Sequence, residues 1–86
     1  MVELVFHTDN GHGWLYVPNW LLRQLDLTRG SFSGYSYHDA DGVFAEEDCD
    51  AGIVIDALNA RGHKFNFHEN HTDGYHYCRN FARCAA

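Results

Sequence analysis

The sequence feature that most constrains the fold is the stretch of residues 44–62. It begins with an acidic cluster and continues into the longest helix-compatible apolar pattern in the chain. The apolar residues recur at the i, i+3, i+4, i+7 spacing of one helical face, at Ala51, Val54, Ile55 and Leu58. Gly62 follows the pattern and suits the left-handed residue that closes many helices. The stretch therefore predicts a strand end, an acidic helix start and a helix packed on a core.

The first third of the chain predicts a β-hairpin followed by a short helix. Apolar and polar residues alternate through residues 2–17 on either side of an Asn-Gly turn at 10–11, which is a strong hairpin signal. Pro18 suits the first position of a helix, where its missing N–H is not needed. Leucines at helical spacing after it predict a helix that ends near Asp26.

The remaining segments predict short strands on either side of the long helix. Residues 32–38 and 43–46 predict a second hairpin, and residues 64–68 and 75–81 each alternate with period two. Hairpins interrupted by helices are typical of the α+β class. We therefore predict a single α+β domain over residues 1–86, with an antiparallel β-sheet of hairpins and one short and one long helix packed on one face.

Charge and composition narrow the classes of function. The formal net charge is −6, and seven carboxylates but no basic residue fall between Arg29 and Arg61. This balance disfavours direct nucleic-acid binding and favours a partner protein with a basic surface. No apolar run approaches the roughly 20 residues of a membrane span, no secretion signal is evident, and the three cysteines show no CxxC spacing. These features predict a reduced, cytoplasmic protein that contacts no membrane, and they leave its oligomeric state open.

The acidic stretch and the nearby tyrosines form the first candidate site. Carboxylates there could cap the helix, hold a cation or bind a partner, with tyrosines as anchors for the partner. Partner binding is the hypothesis that we carry forward. The predicted partner-binding residues are Asp39, Asp41, Glu46, Glu47, Asp48, Tyr35 and Tyr37.

A histidine- and cysteine-rich segment near the C-terminus forms the second candidate site. If residues 72–75 form a tight turn, His71 and His76 face each other across a hairpin, and His76 and Cys78 share one face. Imidazole and thiolate ligands suit zinc, so these three residues could bind a zinc ion. Their spacing matches no established zinc module, and histidines that hydrogen-bond to loop backbone are the alternative. No other cofactor is predicted.

The sequence favours a non-enzymatic protein. It contains no Walker motif, dinucleotide-binding glycine pattern or nucleophile elbow. Cys49 or Cys78 beside a histidine meets only the minimal condition for thiol catalysis. Two alternatives to partner binding remain open. One is a module that sequesters a small ligand or nucleotide, whose phosphate Arg79 could meet, and the other is a zinc-stabilised domain with another purpose.

Four short motifs spread over nearly the whole chain carry a family resemblance. They are GHGWL at 11–15, SGYSY at 33–37, EEDCDA at 46–51, and HTDG at 71–74 followed by Arg79-Asn80. Together they resemble a family of small uncharacterised proteins from tailed bacteriophages, prophages and related mobile elements. The resemblance implies a phage or mobile-element origin, but no reaction, cofactor or site. Because small acidic phage proteins are often inhibitors of host machinery, including anti-CRISPR and other anti-defence proteins, it favours an accessory protein that binds and inhibits a host protein in the bacterial cytoplasm.

Overall fold

A six-stranded β-sheet organises the fold in the computed structural model, which describes residues 1–85. The strands are β1 (Val2–Thr8), β2 (Gly13–Pro18), β3 (Tyr37–His38), β4 (Gly42–Glu46), β5 (Phe65–His71) and β6 (Ala82–Arg83). The α-helices are α1 (Asn19–Gln24) and α2 (Ala51–Ala60), and two short 3₁₀ helices span Arg29–Ser31 and Tyr77–Asn80. The strand order across the sheet is β5-β1-β2-β4-β3-β6, and the fold is α+β, as predicted. Among residues 1–85, neither α-helix has the length and apolar character needed to cross a membrane.

The predicted antiparallel pairing needs one correction, at β5. Strand β1 pairs with β2, β2 with β4, β4 with β3, and β3 with β6, each pair antiparallel. Strand β5 instead runs parallel to β1, in a register from Val2–Phe65 to Thr8–His71. The connection explains this direction, because β4 and β1 run the same way in the sheet and α2 leads from β4 to β5. A helical crossover of this kind joins parallel strands, so the sheet is mixed at this edge.

Both α-helices pack on one face of the sheet, as predicted. The sheet contributes Leu4, Leu15, Val17, Val43 and Ala45 to this core, and the helices contribute Leu21, Leu22, Val54 and Leu58. The buried residues of α2 are Ala51, Val54 and Leu58, whereas Ile55 is only partly buried. Gly62 has a φ of 70°, which confirms the left-handed helix end expected from the sequence.

Residues 75–81, which we call the C-terminal segment, cover the opposite face of the sheet. Trp14 and Phe44 are almost fully buried there in one cluster with Cys78. The sequence predicts a strand over this segment, but the segment contains a 3₁₀ helix instead. His76 caps that helix, since its Nδ1 accepts a hydrogen bond from the Cys78 N–H at 3.0 Å. This local side-chain hydrogen bond stabilises the 3₁₀ helix, in place of the strand pairing that the alternating pattern predicts.

Most of the strand predicted over residues 32–38 is a turn, and β3 retains only its last two residues. The Asp50 carboxylate accepts hydrogen bonds from the Ser33 N–H at 2.9 Å, from the Ser33 hydroxyl at 2.7 Å, and from the Ser36 hydroxyl. These bonds tie the segment to the start of α2, and the Ser36 hydroxyl also accepts the N–H of Glu46 at the end of β4, at 2.9 Å. Asp50 makes no side-chain cap bond to α2, so it fixes the turn and does not cap the helix.

Candidate partner-binding groove

Asp9 joins the β1–β2 loop to the C-terminal segment. Its side chain is fully buried, and its Oδ1 accepts the N–H groups of Gly11 and His12, each at 2.9 Å. Its Oδ2 accepts the His76 N–H at 2.9 Å. Arg79 adds a two-pronged contact, from Nε to Oδ2 at 2.7 Å and from Nη2 to Oδ1 at 2.9 Å. Arg79 first, and then the backbone donors, hold the pKa of Asp9 well below its usual range against the opposing effect of burial.

Arg79 is fixed by two aromatic rings as well as by Asp9. Its Cζ lies 5.1 Å from the ring centroid of Trp14 and 4.5 Å from that of Tyr75. Such cation–π contacts contribute about 0.5–2 kcal/mol each, depending on exposure. The Arg79 side chain is 25% exposed, so its guanidinium is held in one place and still reaches solvent.

The turn that replaces the predicted strand positions a second part of the site. The Ser33 hydroxyl accepts the Tyr35 N–H at 3.2 Å, and Tyr35 as a whole is 65% exposed. Arg83, in β6, reaches the same turn through a bond from Nη1 to the Gly34 C=O at 2.9 Å. The Arg83 Cζ also lies 5.7 Å from the ring centroid of Tyr37. The turn and β6 therefore hold two tyrosines and an arginine together.

These two parts line one groove of about 190 Å³, which we call the aromatic–arginine groove. Its lining residues are His12, Trp14, Tyr35, Tyr37, Glu46, Arg79 and Arg83. Three of the predicted partner-binding residues, Tyr35, Tyr37 and Glu46, are thus brought together. The Glu46 Oε2 accepts the N–H groups of Asp48 and Cys49 at 3.0 and 2.8 Å. Glu46 therefore lines the groove and also fixes the turn before α2.

The other predicted acidic residues lie at two separate places. Glu47 and Asp48 are exposed directly after β4, beside the groove. Asp39 and Asp41 lie in the turn before β4, so the length of this strand, roughly 17 Å at about 3.3 Å per residue, separates the two groups. The Asp39 Oδ1 accepts the N–H groups of Asp41 and Gly42 at 2.8 and 2.9 Å, and so stabilises its own turn. The acidic stretch of the sequence therefore forms two patches.

The structure does not bring the predicted zinc ligands together. His71 is exposed at the end of β5, and its Nδ1 lies 2.8 Å from the Thr8 Oγ1 at the sheet edge. His76 and Cys78 lie over the face of the sheet instead, and the Nδ1 of His76 is occupied by the Cys78 N–H. Burial above all raises the pKa of the Cys78 thiol to about 12, which disfavours the thiolate that zinc requires. The geometry of these side chains gives zinc binding by the three residues no support.

A different set of ligating side chains does converge within residues 1–85. One ligand atom from each of His12, Glu46 and Glu47 lies within 4.8 Å of the other two. His12 and Glu47 are exposed, and exposed carboxylates gather in this way at many protein surfaces without a metal. Since His12 and Glu46 line the groove, we treat this cluster as its acidic end.

Sequence reasoning alone misses Asp9, His12 and Arg83 as parts of the site. Asp9 and Arg79 are 70 positions apart, and no local pattern pairs them. The sequence does contain one signal for the aromatic part of the groove. The alternation of aromatic residues in the predicted strands indicates that Trp14 belongs to an aromatic face. The sequence also indicates Arg79 as a contact for an anion, and the structure places it over that same tryptophan.

Two histidines form a contact next to the groove, under the C-terminal segment. The ring centroids of His7 and His76 are 4.7 Å apart, and His76 is 2% exposed. The Nδ1 of His7 is buried without a hydrogen-bond partner among residues 1–85. Burial lowers the pKa of both imidazoles. The neighbouring His76 lowers that of His7 further, whereas Asp9 acts in the raising direction on His76.

We expect this histidine pair to make the protein less stable in mild acid. Well above pH 6.5 both imidazoles are neutral in the folded and the unfolded chain. As the pH falls through 6.5 the unfolded chain takes up protons first, so the free energy of unfolding falls, by at most about 1.4 kcal/mol per pH unit for each histidine. Urea unfolding at pH 7.5 and pH 5.5 should show a lower midpoint at pH 5.5. His7→Phe should reduce this difference. Equal midpoints at the two pH values would contradict the expectation.

No family model matches this chain, and no curated protein or solved structure matches it either.

Proposed function

We propose that this chain is a non-enzymatic binding protein that inhibits a protein of a bacterial host, and that the aromatic–arginine groove is its docking site. One observation carries the proposal. Tyr35 and Tyr37, predicted as anchors, line the same groove as Trp14 and two arginines. Tryptophan, tyrosine and arginine are the residue types most enriched among the hot spots of protein interfaces.

The size of the groove favours part of a protein partner over a free small ligand. Small-molecule sites usually enclose about 300–1,000 Å³, and this groove has about 190 Å³. That volume suits one side chain or chain terminus. Beside it, Tyr75 contacts Arg79 and is 76% exposed, so it extends the surface that a larger partner would cover. The groove thus supports a protein partner over a sequestered nucleotide.

The rigidity of the groove supports binding without a large ordering cost. Asp9, Trp14 and Tyr75 hold Arg79, and the Asp50 carboxylate holds the turn that carries Tyr35. Side chains that are already ordered lose little conformational entropy on binding. The site is therefore organised before its partner arrives.

The exposed carboxylates support a partner whose surrounding surface is basic. Glu47 and Asp48 lie beside the groove, and Asp41 lies at the far end of β4. With a net charge of −6, the protein attracts basic surfaces over a Debye length of about 8 Å at physiological ionic strength. Asp39 and Glu46 contribute less to this attraction, because hydrogen bonds tie them to their own turns.

The state of the cysteines supports the non-enzymatic part of the proposal. Cys78 is buried, and burial above all raises the pKa of its thiol to about 12. The pKa of the exposed Cys49 thiol is raised as well, by local desolvation and then by the carboxylates around it, first that of Glu46. A thiol nucleophile reacts as the thiolate, and both environments disfavour that form.

The bacterial host, its cytoplasm as the place of action and the anti-defence role follow from the resemblance to small phage and mobile-element proteins. Four motifs carry that resemblance, and each of them contributes at least one residue to the groove. The residues are His12 and Trp14 from GHGWL, Tyr35 and Tyr37 from SGYSY, Glu46 from the acidic motif, and Arg79 from the C-terminal motif. An anti-CRISPR-like inhibitor is one form that such a protein would take.

Affinity capture with matched variants tests the proposed function. Immobilised wild-type protein should retain one host protein or complex from a bacterial lysate. Tyr35→Ala should reduce that retention by at least about tenfold, since loss of a hot-spot aromatic residue costs about 2 kcal/mol or more. Tyr35 is 65% exposed, so the variant should keep the wild-type unfolding midpoint.

The matched control is Trp20→Ala. Trp20 is a large aromatic residue in α1 that is 49% exposed, and it lies outside the groove. Its loss should leave retention unchanged. The proposal is wrong if Tyr35→Ala retains the same host protein as strongly as the wild type does.

A further inference from the structure

We propose that the aromatic–arginine groove seats a carboxylate group of the protein partner. This inference rests on the function proposed above and specifies the chemistry of the central contact. It is carried by two arginines that line the groove, Arg79 and Arg83, and that keep N–H groups without a hydrogen-bond partner among residues 1–85. Free donors on two cations call for an acceptor with negative charge.

Arg79 offers one edge of its guanidinium. Nε and Nη2 donate to Asp9, while Nη1 makes no hydrogen bond within residues 1–85. Its Cζ lies over the rings of Trp14 and Tyr75. Arg79 therefore has the N–H groups of Nη1 left for a ligand in the groove. Because Asp9 and the two rings fix this edge, its direction is set before binding.

Arg83 supplies the other donors. It is exposed and donates from Nη1 to the Gly34 C=O, but it has no carboxylate partner among residues 1–85. Trp14 lines the groove with its ring, whereas its Nε1 is buried away from solvent and is not among the donors that a ligand meets. An acceptor seated in the groove therefore lies beside two arginines whose donor capacity is partly unused.

A carboxylate fits these donors better than a phosphate or a cation does. It is planar and carries two acceptor oxygens, which match a guanidinium edge, as the contact between Asp9 and Arg79 already shows. Glu46 lines the groove and Glu47 adjoins it, so a dianionic phosphate meets more repulsion than a single negative charge. A cation would meet the positive charges of Arg79 and Arg83, which already lie over the rings of Trp14 and Tyr37.

Titrations of ¹⁵N-labelled protein with small probes test this assignment. The probes are sodium acetate, inorganic phosphate and methylguanidinium chloride, each added at constant ionic strength. The indole N–H resonance of Trp14 reports on the groove, and that of Trp20 on α1 is an internal control; Trp20→Phe identifies which resonance is which. Acetate should move the Trp14 resonance saturably and leave the Trp20 resonance in place. Phosphate should bind less tightly than acetate does, and methylguanidinium should not bind.

Two charge-changing variants then test whether the bound group is negatively charged. Arg83→Gln should weaken acetate binding by about tenfold, the usual scale for one charge-assisted contact. Glu46→Gln keeps an oxygen to accept the Asp48 and Cys49 N–H groups and removes one negative charge, so it should tighten acetate binding severalfold. The assignment is overturned if phosphate binds more tightly than acetate, or if the acetate response does not saturate. It is also overturned if acetate binds Arg83→Gln as tightly as the wild type, or if methylguanidinium binds and Glu46→Gln abolishes that binding.

The two proposals fail in different ways. If the host protein is lost with Tyr35→Ala but retained with Arg83→Gln, the groove is the docking site and the carboxylate assignment is wrong. If Tyr35→Ala leaves capture intact while acetate binds as expected, the groove binds a carboxylate and the proposed docking function is wrong.

Discussion

Replacing Asp9 by alanine should lower the free energy of unfolding by about 3–5 kcal/mol, the usual cost of removing one partner from a buried ion pair. The substitution leaves the Arg79 guanidinium without its counter-charge. It also leaves the N–H groups of Gly11, His12 and His76 without their acceptor. Urea unfolding at pH 7, followed by circular dichroism, measures the loss. The part of the groove wall formed by His12 and Arg79 should loosen in the same variant, because both residues are held by this carboxylate.

An exposed ion pair provides the control for this prediction. Arg61→Gln removes the contact between Arg61 and Asp26, where the side chains are 37% and 85% exposed, and it should cost less than about 1 kcal/mol. The fall in the free energy of unfolding at acidic pH gives a second test. The pKa of Asp9 is depressed in the folded protein, so its contribution is complete well above pH 3.8 and is lost as the pH falls below that value. The free energy of unfolding of Asp9→Ala should therefore lack the part of this fall that Asp9 causes. A loss no larger than that of Arg61→Gln would show that Asp9 does not organise the site.

Leu58→Asp should prevent folding altogether. Leu58 is 0% exposed at the centre of the core beneath α2, and a charge there has no partner. Burial of an unpaired charge costs more than about 4–5 kcal/mol, which approaches or exceeds the total stability of many small domains. The ¹H–¹⁵N spectrum of the variant should lose its dispersion, and its thermal scan should show no cooperative transition.

Asn59→Asp is the matched control for Leu58→Asp. It places the same charge one residue further along α2, on the exposed face, and should shift the unfolding midpoint only slightly. A free-energy change of about 1 kcal/mol moves the thermal unfolding midpoint of a domain of this size by roughly 4–8 °C. If Leu58→Asp unfolds cooperatively with a midpoint within about 1 °C of that of Asn59→Asp, then α2 does not pack as described.

Features governed by local chemistry could be predicted from the sequence. The spacing of Val54 and Leu58 identifies the buried face of α2, and Gly62 marks its end because few other residues tolerate a φ of 70°. The hairpin turn before β4 follows in the same way from Asp39, whose side chain accepts the N–H groups two and three residues on. In each case the interacting groups lie within a few residues of one another.

Features governed by distant side chains could not be predicted. The alternation of residues 32–38 is typical of a strand, but Asp50 lies 17 positions after Ser33 and bends the segment into a turn. The bond between Asp9 and Arg79 spans 70 positions, so neither residue shows its role in its own surroundings. The tyrosines and carboxylates of the candidate site could therefore be predicted, whereas Arg79 is indicated only as a contact for a ligand phosphate and Arg83 not at all.

The parallel pairing of β1 with β5 has a consequence for how the chain matures during synthesis. Strand β1 is an inner strand, yet its second neighbour lies 63 positions further on, at the distance from Thr8 to His71. While residues 65–71 are still inside the ribosome, β1 can pair only with β2. Pairing β1 with β5 later closes a long loop, and the entropic cost of that closure comes before the contacts that offset it. The two arginines of the groove emerge later still. A chain that stops before residue 79 would therefore contain the tyrosines of the groove without its arginines, and the groove is complete only after residue 83 has been synthesised.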